Sequence, residues 1–142
     1  MLELLEIEIV EAKPERVVAR MPVTPRVHQP FGQLHGGASV VLAESVASLG
    51  TLLHLDPATH VPMGLEINAN HLRPKRDGVV TAEAVPLHDG RTTVVWDVRI
   101  RDEAGRLVCV SRCTVAKVAR PPGVSLPPLA DLLPAAQGEH PA

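Results

Sequence analysis

In "LLEIEIVEA", Leu5, Ile7 and Ile9 alternate with Glu6 and Glu8. A period of two predicts a strand with one buried face. "KPE" supplies a turn and "RVVARMPV" alternates again, so residues 4 to 23 are expected to form a hairpin. Pro25, Pro30 and Gly32 mark residues 24 to 35 as loop. From 36 to about 54 the period lengthens and predicts the one long helix. Leu42, Val46, Leu49 and Leu53 form an apolar stripe there, and Glu44, Ser48 and Thr51 a narrow polar line on the other side. Four strands are expected to follow, at about 63 to 73, 78 to 87, 91 to 102 and 106 to 118. "HDGR" at 88 to 91 and "DEAGR" at 102 to 106 are hairpin turn sequences. In "VVWDVRIR", Val94, Trp96, Val98 and Ile100 share one face, and Val95, Asp97, Arg99 and Arg101 the other.

Two strands, one helix and four strands make an α+β chain. A lone helix must bury itself against a sheet, and one face of that sheet can wrap it. The domain is expected to end near residue 119. Residues 120 to 142, "RPPGVSLPPLADLLPAAQGEHPA", hold six prolines in 23 positions and read as an extended or disordered tail. Within it "LADLL" has the pattern of a short turn against the body.

Composition narrows the function. The 142 residues suffice for one core, and with one Phe, one Trp and no Tyr that core must be aliphatic. A stacking platform for nucleic-acid bases needs several aromatics, and a net charge of −2 gives no basic footprint. The seven histidines and two cysteines form no metal-ligand spacing. Cys109 and Cys113, four apart on one strand, are expected on the same face as reduced, packed thiols. The start "MLELLEIEIVE" is too acidic for a signal peptide, and no apolar run reaches spanning length. A cytoplasmic protein with no metal, redox cofactor, membrane or nucleic-acid partner is expected.

Glu44 is the only ionisable group on the polar line of the helix. A carboxylate on a largely buried helix is costly unless it is hydrogen-bonded or neutralised. It serves either as a solvent- or subunit-facing group held by Ser48, or as a base or nucleophile that exploits partial burial. "HGGAS" puts two glycines at the helix start, where the first N–H groups lack intrahelical partners and carry partial positive charge. Such N–H groups suit a plain cap, or a developing oxyanion that approaches the bare backbone. Gly36 and Glu44 are eight residues apart, about 12 Å along a helix. Reacting atoms need about 3–3.5 Å. If both residues serve one substrate, the glutamate must come from a second chain.

"QPFGQLHGGASVVLAESVASLG", with "GLEINANHLRP" and "PLHDGR", resembles the hotdog-fold acyl-CoA thioesterases of the phenylacetate-type group, above all the 1,4-dihydroxy-2-naphthoyl-CoA hydrolases. The resemblance runs from about residue 5 to 118. It implies one long central helix wrapped by a six-stranded antiparallel sheet. It implies Glu44 as the catalytic carboxylate and the Gly36 N–H as the donor that polarises the thioester carbonyl. Gln29 and His35 match residues that orient the thioester, and Ser48 matches a helix residue that holds the water or the carboxylate. Asn70, His71 and Arg73 (with Asn68 nearby), and His88, Gly90 and Arg91, lie in regions that approach coenzyme A. Arg73, Lys75, Arg76 and Arg91 have the charge to meet its phosphates, although each is also an ordinary solvated charge. His28, His54 and His60 carry no assignment. A two-fold dimer with shared sites, and a tetramer of two dimers, are implied.

The implied reaction is hydrolysis of an acyl-CoA, with an aromatic acyl group, to free acid and CoA. Coenzyme A is then part of the substrate and no further cofactor is needed. Two alternatives remain: a thioesterase that clears acyl groups from a phosphopantetheine carrier protein, and a non-catalytic module that binds acyl-CoA.

Overall fold

A computed structural model describes residues 1–134. Two strands, β1 (Glu8–Lys13) and β2 (Arg16–Pro22), precede the long helix α1 (Gly36–Leu52). Four more follow: β3 (His60–His71), β4 (Val79–Asp89), β5 (Thr93–Arg101) and β6 (Leu107–Ala119). They form one antiparallel sheet in the order β1-β2-β4-β5-β6-β3, which leaves β1 and β3 as its edges. The helix touches all six strands. This is the expected architecture.

One face of the sheet packs against α1, and its buried side chains are mostly aliphatic. Val94, Trp96, Val98 and Ile100 of β5 are fully buried, and Cys109, Cys113 and Val115 of β6 join them. Both thiols are free and on the inner face, as the four-residue spacing predicts. From α1, Leu42, Ala43, Val46 and Ala47 fill the space between. The turn after β5 forms as "DEAGR" predicts. Asp102 Oδ1 accepts from the Ala104 and Arg106 N–H groups, and Gly105 takes the left-handed conformation at φ 76°.

Three local expectations are corrected. β1 starts at Glu8, not at Leu4; residues 2 to 6 form a turn in which Leu5 N–H donates to Met1 C=O, and Glu6 sits at φ 54°. Leu2 and Leu5 bury against the core through that turn instead of along a strand. Thr51 does not face outward with Glu44. It is fully buried, donates to Ala47 C=O at 2.9 Å and accepts the Trp96 indole N–H at 2.9 Å. The helix closes at Leu52, with Leu53 only partly buried at its cap.

A second short helix, α2 (Leu129–Leu132), falls in the proline-rich segment. Leu126, Leu132 and Leu133 are half-buried against the core. The rest of that segment, 135 to 142, lies outside the described residues. Among the described residues, no helix is long and apolar enough to cross a membrane.

Candidate active site

The chain enters α1 through a folded loop. Gln29 N–H donates to Gln33 C=O at 2.8 Å, and Gly32 N–H to Gln29 C=O at 3.0 Å. The Gln29 side chain turns back on this loop, its Oε1 accepting the Phe31 N–H. His35 is the N-cap of α1; its Nδ1 accepts the Gly37 N–H at 2.8 Å, which leaves Nε2 to carry the ring proton. Gly36, the first helical residue, has an N–H that makes no hydrogen bond among the described residues. It is an orphan donor at the positive end of a 17-residue helix.

Gly36 lines a cavity of about 360 Å³ together with Gln29, Gln33, Ser39, His71 and Arg73, and with Leu34, Leu72, Pro74 and Val108. The lack of a side chain at Gly36 matters here: a Cβ would lie 2.7 Å from His71 Nε2. One wall member was not foreseen. Gln33 Oε1 is buried without any partner, an acceptor waiting for a donor from elsewhere.

Glu44 lies two turns along α1 and outside this cavity. It is half-buried and makes no hydrogen bond or ion pair among the described residues. Its carboxylate rests on Gly64 of β3, where a Cβ would come within 2.5 Å of Glu44 Oε1. The ladder to β6 shifts register between Gly64 and Glu66, so the strand is bulged at the point where it receives the carboxylate. A lone glycine inside a strand pattern is the sequence signal for such an approach, and Gly64 was not among the candidate residues read from the sequence. Beneath it, burial and the nearby charges of Glu44 and Glu66 push the Cys113 thiol up to about 12. Cys113 is therefore no nucleophile at neutral pH.

Ser48 follows Glu44 by one turn but makes no hydrogen bond to it; it lines a separate apolar cavity with Leu49 and Leu52. His71 and Arg73 sit at the Gly36 cavity, whereas Asn70 does not. Asn70 pairs with Val110 and Asn68 with Arg112, which places both on the outer face of the sheet, opposite His71. His88, Gly90 and Arg91 are at the β4–β5 turn beside the C-terminal end of α1, where His54 Nδ1 meets Asp89 Oδ2 at 2.9 Å. Along α1 that is about 25 Å from Gly36, so one chain does not bring these three to the cavity. Of the basic residues, Lys75 is held by Glu103 at 2.5 Å, while Arg73 and Arg76 are exposed. Among the described residues, no group of three or more His, Cys, Asp or Glu is placed to hold a metal ion.

Comparison with known proteins gives this arrangement a context. The thioesterase superfamily model matches residues 31–109, a span that contains α1, β3, β4 and β5 and stops before the proline-rich segment. A 1,4-dihydroxy-2-naphthoyl-CoA hydrolase of Listeria monocytogenes is 51% identical over 114 residues, covering 80% of this chain and 92% of that protein. The enzyme of the same name from Escherichia coli is 48% identical over 116 residues, covering 82% and 85%. The crystal structure of a mutant thioesterase from Pseudomonas aeruginosa superposes with a TM-score of 0.81 at 49% identity, over 84% of this chain and 86% of that one.

Proposed function

The chain belongs to the thioesterase superfamily and is a thioester hydrolase, and from that premise we propose that it hydrolyses an acyl-CoA with an aromatic acyl group, of the 1,4-dihydroxy-2-naphthoyl kind, to free acid and CoA. The observation that carries this reading is a pair of unsatisfied groups on one helix: the N–H of Gly36, a residue that lines a cavity, and the Glu44 carboxylate over Gly64. The N–H polarises the thioester carbonyl and holds the oxyanion as it forms. The carboxylate attacks the carbonyl carbon or takes a proton from the attacking water. Collapse of the tetrahedral intermediate breaks the C–S bond and the CoA thiolate leaves. On the base route it takes the proton that Glu44 drew from water; on the nucleophile route water then hydrolyses the acyl-glutamyl anhydride to free acid and restores the carboxylate. His35 Nε2–H and Gln29 lie on the Gly36 side and orient the carbonyl. The pantetheine arm of CoA carries amide N–H groups, the kind of donor that Gln33 Oε1 lacks. Arg73 at the same cavity suits a phosphate.

In this reading the two halves of each site come from two chains. The rise of α1 puts Gly36 and Glu44 about 12 Å apart in one chain, beyond reach of a common carbonyl. β3 supports a two-fold partner: it is an edge strand of 12 residues, and Met63, Leu65 and Leu72 stand exposed on or beside it. Two such edges paired about a dyad set the helices antiparallel, with Glu44 of one chain brought toward Gly36 of the other. A tetramer of two dimers belongs to the same proposal.

Free-thiol release from a panel of aryl- and alkyl-CoA esters tests the substrate, and the same acyl groups on a carrier protein test the carrier. Turnover of aryl-CoA well above the alkyl esters and above the carrier protein is expected; the reverse order overturns the assignment. Subunit exchange tests the shared site. Glu44→Ala and Gln29→Ala, each nearly inactive alone, should recover about a quarter of wild-type activity when mixed, because half the dimers are mixed and each holds one intact site. Proven exchange without recovery means that both residues act within one chain.

A further inference from the structure

The cavity that Ser48 lines has about 250 Å³, room for roughly eight waters at ~30 Å³ each. Ser45, Ser48, Leu49 and Leu52 of α1 form its floor, with Leu2, Ile9 and Pro62 at the sides. Its remaining wall is Leu126 and Leu132, from the proline-rich segment that follows the sheet. Ser45 and Ser48 are the polar side chains among its lining residues, and the Ser45 Oγ donates to Val41 C=O at 2.7 Å. Glu44 is not among its lining residues, but two that are stand close to the carboxylate along the chain. Ser48 is one helical turn beyond Glu44 on the same face. Pro62 is two residues before Gly64, the residue against which the carboxylate rests.

We propose that this cavity receives the acyl group, and that Leu126 and Leu132 form its end wall and set the size of the acyl group accepted. The inference rests on the acyl-CoA reading above. An acyl-CoA has one large apolar part, the acyl group, attached at the carbonyl that Glu44 must reach. A carbonyl held at one subunit's Gly36 and met by the partner's Glu44 projects its acyl group along the partner's α1 toward Ser48. An apolar space there stabilises a ring-sized group by excluding water from it. The ring passes beyond the serine hydroxyls to meet leucine side chains that the sheet and helix do not supply. The segment therefore acts in specificity, and it does so from outside the strands and helix that hold the reacting groups.

The test compares acetyl-, benzoyl- and 2-naphthoyl-CoA with wild type, Leu132→Trp and Leu126→Ala. Filling the cavity with Leu132→Trp should lower the ratio of kcat/KM for naphthoyl-CoA to that for acetyl-CoA at least tenfold, the effect of one or more methylenes in an apolar pocket. Opening it with Leu126→Ala should change the benzoyl-to-naphthoyl preference by a similar factor, and this variant serves if the tryptophan does not fold. Binding of phenacyl-CoA, whose CH₂ between carbonyl and sulfur resists hydrolysis, gives a readout without turnover and should weaken at least tenfold in Leu132→Trp. Unchanged acyl preference and unchanged phenacyl-CoA affinity in folded variants overturn the wall. Absence of turnover on every ester by the wild type, with phenacyl-CoA binding intact and sensitive to Leu132→Trp, overturns the hydrolysis reading and leaves the wall standing.

Discussion

Both ends of α1 use glycine to admit a ring, one buried and hydrogen-bonded, the other exposed. At the C-terminal end Gly50 makes room for a side chain of the protein itself: a Cβ there would lie 2.4 Å from Trp96 Cη2. The indole fills the space, and its N–H is satisfied by Thr51. Nearby, His54 engages Asp89 through Nδ1 and the Pro14 carbonyl through Nε2. At the N-terminal end Gly36 makes room for the exposed ring of His71, whose Nε2 would lie 2.7 Å from a Cβ there. That ring gives the Gly36 N–H no hydrogen bond among the described residues, and Gln33 Oε1 is left without a partner. One end has its polar groups matched and its volume occupied, as a core requires. The other end retains unsatisfied groups, a cost in stability that a ligand can offset.

The largest effect that can break this contrast is on catalysis. Glu44→Ala is expected to reduce thioester hydrolysis by about 10²–10⁴-fold, the range for loss of a positioned base. Its melting temperature should equal or exceed that of the wild type, because the carboxylate has no partner to lose. Activity within a few-fold of wild type would place the chemistry elsewhere.

A matched pair of substitutions sharpens it. Alanine is usually favoured over glycine inside a helix by about 1 kcal/mol. At Gly50 the added methyl meets the buried, hydrogen-bonded Trp96, and overpacking of about 1–3 kcal/mol should outweigh that gain. Denaturant unfolding of Gly50→Ala should show the loss. At Gly36 the methyl meets only the tip of the exposed His71 ring, which can swing away. Gly36→Ala should therefore fold with near-native stability and lose hydrolysis. Equal stability losses in the two variants would erase the distinction between the ends.

The smallest effect concerns acid. Lys75, and then the Val79 N–H, hold Glu103 down at about 2 from an ordinary 4.5. That contact anchors the chain next to Arg73 and Pro74, which wall the Gly36 cavity. A carboxyl depressed in the folded state adds stability that is complete above pH 4.5 and is lost as pH falls toward 2. The group is half-exposed, so solvent screens the effect. A carboxyl titration by NMR should give Glu103 a midpoint near 2, and a midpoint near 4.5 would remove the anchor.

Much of this was legible in the sequence because it depends on local rules. Strand alternation and the "DEAGR" turn follow from spacing, whereas the Gln29-to-Glu44 block could be read only through its resemblance to a family. What escaped depends on distant partners. "LLEIEI" alternates like a strand, yet Leu2 and Leu5 find burial through a turn that alternation cannot register. Thr51 is polar by composition and buried in fact, because Ala47 and Trp96, the latter 45 residues away, satisfy its hydroxyl. Asn70 and His71 are neighbours in a motif, but adjacent strand residues face opposite sides, and parity outranks proximity. Gly64 signalled itself as a glycine inside a strand, and only the fold shows which side chain it admits.

The fit of Trp96 against Gly50 also has an optical consequence. The chain has one tryptophan and no tyrosine, so its near-ultraviolet emission comes from a single indole. That indole is sealed from water, with the His54 ring edge-on at 5.7 Å. Gly50 lies fourteen residues from Gly36, about 21 Å along the helix. Emission will shift to the red when the core opens and will dim or brighten with events at His54. Contacts at Gly36 lie too far away to touch the indole, whereas Leu49 and Leu52, which line the proposed acyl cavity, flank Gly50 and Thr51, so an aryl group there will add its own change to the emission.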